Sequence, residues 1–213
     1  MRLYLIRHDQ TVWNAAGLAQ GHTDMELDET GLAQAEMLGK AFEGVEIETV
    51  YTSDLSRAKK TAEAVAKATN AQLVIDPIIR ERCFGEWEGR TFVHIAEEYA
   101  RIESETGRER HTIAPPKGES YEDTWHRIAS FAKQLENVEA PTAVVGHGGA
   151  CSLLLARLLQ GNMATARAFR LHNTSITELH RHPEGFWVMR RYDDTSHLET
   201  GQALSGSVDG TAR

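Results

Sequence analysis

The sequence predicts an α/β fold: a three-layer α/β/α arrangement on a doubly wound, mostly parallel sheet with an antiparallel edge. Short apolar runs of strand length alternate with amphipathic helical patterns from residue 1 to about residue 160, and this order is typical of parallel sheets covered on both faces. Two β-rich segments then follow each other directly near the C-terminus, which predicts a hairpin at the sheet edge.

Apolar and β-branched runs predict the strands. The runs of the parallel part are residues 3–7, 48–53 and 141–146. The late segments SITELHRH and FWVMRRY are joined by a Pro-Glu-Gly sequence at residues 183–185, and these turn-forming residues predict the antiparallel hairpin.

Polar caps followed by apolar residues three and four apart predict three helices. They begin after Asp28, with Leu32 and Leu38 on the apolar stripe, after Ser53, and after Ser120, where Asp123 completes a capping box. A further segment, ACSLLLARLL, is apolar nearly all round. Such a helix is expected between a sheet and other helices.

Length and the distribution of charge suggest one domain over residues 1–198. Within it, residues 90–117 are rich in charge and are expected to form a lid-like, partly helical insertion across the open end of the sheet. Residues 199–213 are small and polar, and we expect a frayed tail there.

Composition excludes several classes of protein. Hydrophobic residues make up 41% and charged residues 25% of the chain, which is globular rather than disordered composition. The formal charge of −8 disfavours nucleic acid as a partner. No apolar run approaches the roughly 20 residues of a membrane helix, and the first residues resemble a strand rather than a signal peptide. We therefore expect a cytoplasmic protein with Cys83 and Cys151 as buried free thiols.

Cations and imidazoles follow the predicted strands. Arg7 and His8 come after the first, Arg57 comes shortly after the second, and His147 comes directly after the run TAVVG. Ligands of doubly wound sheets bind outside the carboxyl ends of the strands. Arginine forks match phosphate oxygens and an imidazole can form a covalent phosphoryl intermediate, so this pattern indicates a phosphate site with a nucleophile.

Cleavage of a phosphate ester also needs a proton donor for the leaving alkoxide. Glu81 is the candidate, because a neighbouring phosphate dianion favours the protonated carboxyl group. Arg80 and Arg82 flank it and act in the opposite direction. A solvated acid paired with one of these arginines is the alternative.

Seven segments now support a resemblance. LIRHDQTVWN, QGHTDMELDETGLAQA, SDLSRAKKTA, ERCFGEWEG, PKGES, VVGHGG and YDDTSHL resemble, in order, the motifs of the histidine phosphatase superfamily, which includes the cofactor-dependent phosphoglycerate mutases. The resemblance covers nearly the whole chain and implies a phosphoglycerate mutase-like fold.

The resemblance also implies roles for individual residues. The catalytic residues would be His8 as nucleophile, Glu81 as general acid and base, and Arg7, Arg57 and His147 around the phosphate. The substrate would contact Asn14, Gln20, Gly21, Arg82 and Gly148. Neither a metal nor another cofactor is needed in that mechanism.

The chain departs from the family pattern directly after the nucleophile. Asp9 and Gln10 stand where the family usually has glycine or alanine followed by glutamate. An aspartate directed into a phosphate site would oppose anion binding. We therefore expect the Asp9 side chain to face solvent or a backbone N–H group.

The expected function is hydrolysis of a small soluble phosphate ester, with a small phosphorylated metabolite as partner and inorganic phosphate as product. Only 36 residues lie between Glu81 and Gly118, and this short insertion favours access of water to a phosphohistidine. A phosphoglycerate mutase, a non-catalytic phosphate-binding regulatory module in which Asp9 abolishes turnover, and a metal-dependent hydrolase are the alternatives. The oligomeric state stays open, with a homodimer as one alternative.

Overall fold

The computed structural model describes residues 1–199, so the predicted tail lies outside the described residues apart from Glu199. Within that range one mixed sheet is flanked by helices. Its strands are β1 (Arg2–Arg7), β2 (Thr49–Thr52), β3 (Gln72–Ile75), β4 (Thr142–Gly146), β5 (Ile176–Arg181) and β6 (Trp187–Asp194). The helices are α1 (Val12–Ala15), α2 (Glu29–Ala41), α3 (Ser56–Thr69), α4 (Phe92–Thr106), α5 (Tyr121–Leu135), α6 (Gly148–Leu158) and α7 (Met163–Ala166).

The strand order is β3-β2-β4-β1-β5-β6. The first four strands in this order are parallel to one another. At the edge next to β1, β5 is antiparallel to β1 and β6 is antiparallel to β5. The predicted mostly parallel sheet with an antiparallel hairpin is confirmed. Because β2, β4 and β1 are neighbours, their carboxyl ends lie side by side.

Alternate side chains of β1 pack on opposite faces of the sheet, as the period of two in a strand requires. Leu3 and Leu5 join a core with α5 and α6. Tyr4 and Ile6 join a second core with α2 and α3. Two apolar layers therefore cover one sheet, and the three-layer prediction is confirmed.

Two of the predicted helix starts are confirmed. Asp28 accepts a hydrogen bond from the Gly31 N–H at the start of α2, and Ser120 and Asp123 form a capping box at α5. Leu32, however, is 49% exposed. The buried stripe of α2 contains Leu38, as predicted, together with Gly31 and Ala35.

The predicted cap at Ser53 is wrong. Helix α3 begins at Ser56 after Leu55, which makes no side-chain cap. The first-turn groups are bound from elsewhere in the chain, since Asp24 accepts hydrogen bonds from the N–H and the hydroxyl group of Ser56. Strand β3 was not predicted, because its four residues form a short edge strand without a fully buried residue.

The insertion of residues 90–117 contains α4 and a short 3₁₀ turn, Arg110–Thr112. A third apolar cluster joins this insertion to the segment around Phe84 and Trp87 through Ile95, Tyr99 and Ile113. The insertion therefore has its own packing against the loop that carries Glu81.

The two cysteines are free, as predicted, but differ in burial: Cys151 is buried and Cys83 is only partly buried. Within residues 1–199, no helix has the length and apolar character needed to cross a membrane.

Helix α2 approaches the segment after His8 too closely for a side chain at Gly31. A Cβ at Gly31 would lie 2.0 Å from the Gln10 carbonyl oxygen, whereas one at Gly39 would make a contact at 3.4 Å. We predict that Gly31→Ala lowers the free energy of unfolding by about 1–3 kcal/mol. Gly39→Ala should change it by less than about 1 kcal/mol, because alanine favours the helix. Urea unfolding of both variants is the measurement, and equal effects would contradict the prediction.

Candidate active site

The carboxyl ends of three neighbouring strands bring the predicted polar residues together. Arg7 ends β1 and His8 follows it, while His147 follows β4 directly. The His8 N–H donates to the Gly146 carbonyl at 2.9 Å, which ties the two segments to each other. The rings of His8 and His147 meet edge to face with centroids 5.1 Å apart.

His8 has a defined tautomer. Its Nδ1 lies 2.7 Å from the Asp9 carbonyl oxygen, and a carbonyl can only accept, so Nδ1 carries the proton and Nε2 has a free lone pair. Burial, reinforced by the positive charges of Arg57 and Arg7, holds the pKa of His8 well below its ordinary value. The imidazole is therefore neutral at physiological pH and able to act as a nucleophile at Nε2.

His147 is fully buried and contacts Ser53, the residue that follows β2. The Ser53 hydroxyl lies 2.7 Å from Nε2. Burial and the charge of Arg57 hold the pKa of His147 well below its ordinary value. Within the described chain, Nδ1 of His147 is buried without a hydrogen-bond partner, which leaves this atom for a ligand.

Arg57 is held by main-chain oxygens. Its NH1 and NH2 groups donate to the carbonyls of Thr23 and Gly21 at 3.0 and 2.8 Å. Burial lowers the pKa of Arg57 to about 10, so the group stays charged at neutral pH. Its buried Nε has no hydrogen-bond partner among residues 1–199. Gly21 adopts φ +54° and a Cβ there would lie 2.1 Å from a Glu88 oxygen, so only glycine fits.

Arg7 brings a second buried cation to the same edge, and its NH1 donates to the Leu171 carbonyl at 2.6 Å. Two buried positive charges at one edge of a sheet favour a ligand that carries negative charge.

Glu81 lies at the N-terminus of α6. Its Oε2 accepts from the Gly149 N–H at 2.9 Å, and its Oε1 accepts from the N–H groups of Ala150 and Arg82. These three N–H donors fix the position of the carboxyl group. Because Oε2 accepts only one of these bonds, it retains a lone pair for a proton.

A cleft of about 410 Å³ opens over these groups. Nine of the ten predicted site residues line it, and the tenth, His147, is fully buried with its ring against that of His8. The nine are Arg7, His8, Asn14, Gln20, Gly21, Arg57, Glu81, Arg82 and Gly148.

Arg82 lies in the outer part of the cleft. Its guanidinium group lies 4.2 Å from the centre of the Phe84 ring and donates to the Tyr99 hydroxyl at 2.6 Å. The guanidinium group of Arg110, from the insertion, lies over the Tyr99 ring, 4.8 Å from its centre. The outer wall therefore combines aromatic rings with arginines.

The expectation for Asp9 is wrong. The residue is fully buried, and its Oδ2 accepts a hydrogen bond from the Thr61 hydroxyl at 2.8 Å rather than from solvent or a backbone N–H. The side chain turns away from the cleft towards α3, because no Asp9 atom lines the cleft.

Sequence reasoning missed the residues that support the Glu81 loop. Arg127 of α5 donates to the carbonyls of Ile78, Arg80 and Glu81 and forms a two-point ion pair with Glu119. The capping box gave the start of α5, but no local pattern indicates that a helix residue binds three carbonyls of a distant loop. Ser53 was missed as a partner of His147 for the same reason.

Glu88 makes a similar connection between two segments of the cleft. Its oxygens accept from the N–H groups of His22, Thr23 and Phe84 at 2.8–3.1 Å. The loop that carries the carbonyl partners of Arg57 is thereby bound to the loop that follows Glu81.

A sheet edge with buried cations beside neutral imidazoles defines an α/β protein suited to receive an anion. The family model described as histidine phosphatase superfamily (branch 1) matches residues 3–195. The chain belongs to this superfamily, a family of enzymes, as its motifs implied.

Individual relatives agree with the assignment. The chain is 32% identical over 207 residues to a protein of Erwinia tasmaniensis named "Probable phosphoglycerate mutase GpmB", covering 93% of this chain and 95% of that protein. It is similar to the solved alpha-ribazole phosphatase of Shigella flexneri (TM-score 0.81, 29% identity, 91% and 96% coverage). The mycobacterial glucosyl-3-phosphoglycerate phosphatase solved with VO3 is also similar (TM-score 0.78, 30% identity, 91% and 99% coverage).

The support of the Glu81 loop by Arg127 leads to a testable prediction. Arg127→Met removes the donors to three carbonyls, so amide protons at Arg82 and Cys83 should exchange with solvent about tenfold faster or more. Those of β1 and β4 should keep their rates. Arg101→Met is the matched control, since Arg101 is exposed and pairs only with Glu98 and Glu105 among the described residues. Hydrogen exchange is the measurement, and unchanged rates at residues 82–83 would contradict the supporting role.

Proposed function

We propose that the protein is a phosphomonoester hydrolase that transfers the phosphoryl group of a small phosphorylated metabolite to His8 and then to water. The observation that carries this proposal is the tautomer of His8, whose Nδ1–H is bound to the Asp9 carbonyl. The Nε2 lone pair is thereby available at the inner end of a cleft that holds two arginines. Membership of the superfamily and the phosphatase relatives support the same assignment.

Binding of the phosphate group uses fixed charge. In the proposed complex, Arg7 and Arg57 neutralise the dianion, and Nε of Arg57 and Nδ1 of His147 donate to its oxygens. Ser53 donates to Nε2 of His147, which keeps the ring proton on Nδ1. The N–H groups at the start of α6 add positive partial charge from Gly148 onward.

The first chemical step forms a bond between His8 Nε2 and phosphorus while the bond from phosphorus to the ester oxygen breaks. The electron pair of that bond goes to the alcohol oxygen, which takes a proton from the Glu81 carboxyl group. The alcohol leaves, and the phosphohistidine and the Glu81 carboxylate remain.

The second step is attack by water on the phosphohistidine. The Glu81 carboxylate takes a proton from the water as the new oxygen–phosphorus bond forms, and the electron pair of the phosphorus–nitrogen bond returns to Nε2. Inorganic phosphate leaves and both residues regain their starting forms. Glu81 gives one proton to the leaving alcohol and regains one from water, so neither step calls for a metal ion.

The rest of the ester contacts the outer cleft. Asn14, Gln20, Gly21 and Arg82 all line the cleft, so we assign these residues to binding of substrate. The proposed substrate is a small soluble metabolite of the cytoplasm rather than a nucleic acid or a membrane lipid, in keeping with the formal charge of −8.

Replacement of the nucleophile tests the proposal. We predict that the protein hydrolyses p-nitrophenyl phosphate in the presence of EDTA and that His8→Ala lowers kcat by about 10³-fold or more. His182→Ala, in the exposed turn between β5 and β6, should keep full activity and serves as the matched control. Activity that EDTA abolishes would favour a metal-dependent hydrolase. Absence of turnover in the parent protein would favour a regulatory module that only binds phosphate.

A second candidate is a phosphoglycerate mutase, and the relative named GpmB favours it. A mutase must return the phosphoryl group to bound substrate and keep water away from the intermediate. The insertion between Glu81 and Gly118 spans only 36 residues, and this length supports hydrolysis because a short cover excludes water less completely.

The two functions differ in their products. With 3-phosphoglycerate and the bisphosphorylated cofactor, we predict that free phosphate accumulates faster than the 2-isomer, because water reaches phospho-His8. Phosphorus NMR of the mixture measures both products at once. An excess of 2-phosphoglycerate over phosphate would establish the mutase and reject the hydrolase.

A further inference from the structure

A buried carboxyl group lies directly behind the proposed nucleophile. Asp9 is fully buried and does not line the cleft, so it does not touch a ligand there. Nothing in the proposed mechanism uses its side chain. A buried carboxyl group is costly unless it has a role or a full set of partners.

Asp9 links the two principal groups of the site. Its carbonyl fixes the His8 ring through Nδ1 at 2.7 Å. Its N–H donates to the Thr61 hydroxyl at 3.0 Å, and its carboxylate accepts from the same hydroxyl at 2.8 Å. Thr61 lies one turn after Arg57 in α3, with its hydroxyl 3.0 Å from the Arg57 carbonyl. One hydroxyl group therefore joins the His8 segment to the helix that carries Arg57.

The hydrogen bonds between Asp9 and Thr61 have two alternative arrangements, one with Asp9 ionised and one with Asp9 protonated. Thr61 has one hydroxyl proton and two acceptors within reach, the Asp9 carboxylate and the Arg57 carbonyl. When Asp9 is ionised, the Thr61 hydroxyl donates its hydrogen bond to the carboxylate. When Asp9 is protonated, its own O–H donates to the Thr61 oxygen, and the Thr61 proton is released to the Arg57 carbonyl. Both states are hydrogen-bonded, so a single proton selects between them.

The surroundings place this titration near neutrality. Burial raises the pKa of Asp9 to about 7, and the hydroxyl groups of Thr174 and Thr61 oppose the shift. The guanidinium of Arg57 turns away to the carbonyls of the loop at Gly21. In the neighbouring segments, His8 is neutral, Arg7 donates to a carbonyl, Asp28 binds Gln10, and His172 pairs with Asp193. The charged residues of α3 other than Arg57 lie towards solvent, where Lys60 and Glu63 pair with each other.

We propose that Asp9 is a positioning residue and that its protonation is coupled to binding of the anion. Neutral Asp9 holds the His8 and Arg57 segments together without adding negative charge. Ionised Asp9 places a buried negative charge next to the nucleophile and opposes a tetrahedral dianion, because Coulomb repulsion is strong where water is excluded. By linkage, binding of the dianion favours uptake of a proton by Asp9. The identity of that dianion as a substrate phosphate rests on the proposed function.

Inorganic sulfate is the probe, since it stays a dianion throughout the neutral range and phosphate does not. Calorimetry of the full chain should give a sulfate dissociation constant about fivefold to tenfold higher at about pH 8.5 than at about pH 6. Asp9→Asn is neutral at every pH and can keep the contact with Thr61, so its affinity should lack this change. Glu36→Gln, an exposed loss of one negative charge on α2, is the matched control and should follow the parent protein.

Thr61→Val supplies a second variant with almost unchanged volume. It removes the donor that stabilises ionised Asp9, so the midpoint of the pH dependence should move upward by about one unit. An Asp9→Asn variant that keeps the parent pH dependence overturns the proposal, as does a Thr61→Val midpoint that stays in place. If Asp9→Asn fails to fold, the Thr61→Val midpoint and the carboxyl carbon NMR titration of the parent protein decide.

The readout separates this inference from the proposed function, because sulfate binding needs no turnover. A pH-dependent affinity that Asp9→Asn removes, in a protein without phosphatase activity, would reject the hydrolase and keep the coupling. Phosphatase activity with a pH-independent sulfate affinity would do the reverse.

Discussion

Buried positive charge at the carboxyl edge of the sheet is the constraint on which the site depends. Arg57 is completely enclosed, and two main-chain carbonyls bind its guanidinium. These carbonyls fix its direction without neutralising it. Burial, reinforced by the same charge, lowers the pKa values of His8 and His147 and keeps both rings neutral. The site contains two buried cations and two neutral imidazoles. An anion that enters is attracted by the two positive charges, and this attraction favours its binding.

The support for that charge comes from loops that are bound to one another rather than from the sheet alone. Glu88 holds the loop at His22 and Thr23 that supplies carbonyls to Arg57. Arg127 holds the loop of Glu81 from α5. Such contacts are needed because loops lack the regular backbone hydrogen bonds of strands and helices. Displacements of about 1 Å are enough to lose catalytic geometry. The acid and the cations therefore keep their places through polar contacts that span the chain.

The sequence was sufficient for features with a local cause. Alternation of apolar runs and helical stripes predicts the layered sheet, and Asp28 predicts a helix start, because caps and periodicity act within a few residues. Motif order predicts nine residues of the cleft. Ser53 and Asp9 were misplaced because their partners, His147 and Thr61, are 94 and 52 residues away in the chain. A polar residue beside a strand end can cap a helix or contact a distant group, and only the fold decides between them.

The cleft also separates chemistry from selectivity. In the proposed mechanism, the charged and imidazole groups of its inner end contact only the phosphoryl group and therefore suit any phosphate monoester. The outer wall comes partly from the insertion, where Tyr99 lies near both Arg82 and Arg110. Aromatic faces bind flat or apolar groups and arginines bind anions. Under the proposed function, changes in the insertion can therefore alter which alcohol leaves without moving His8, because the insertion packs on an apolar cluster that it shares with the loop after Glu81 rather than on the two cores of the sheet.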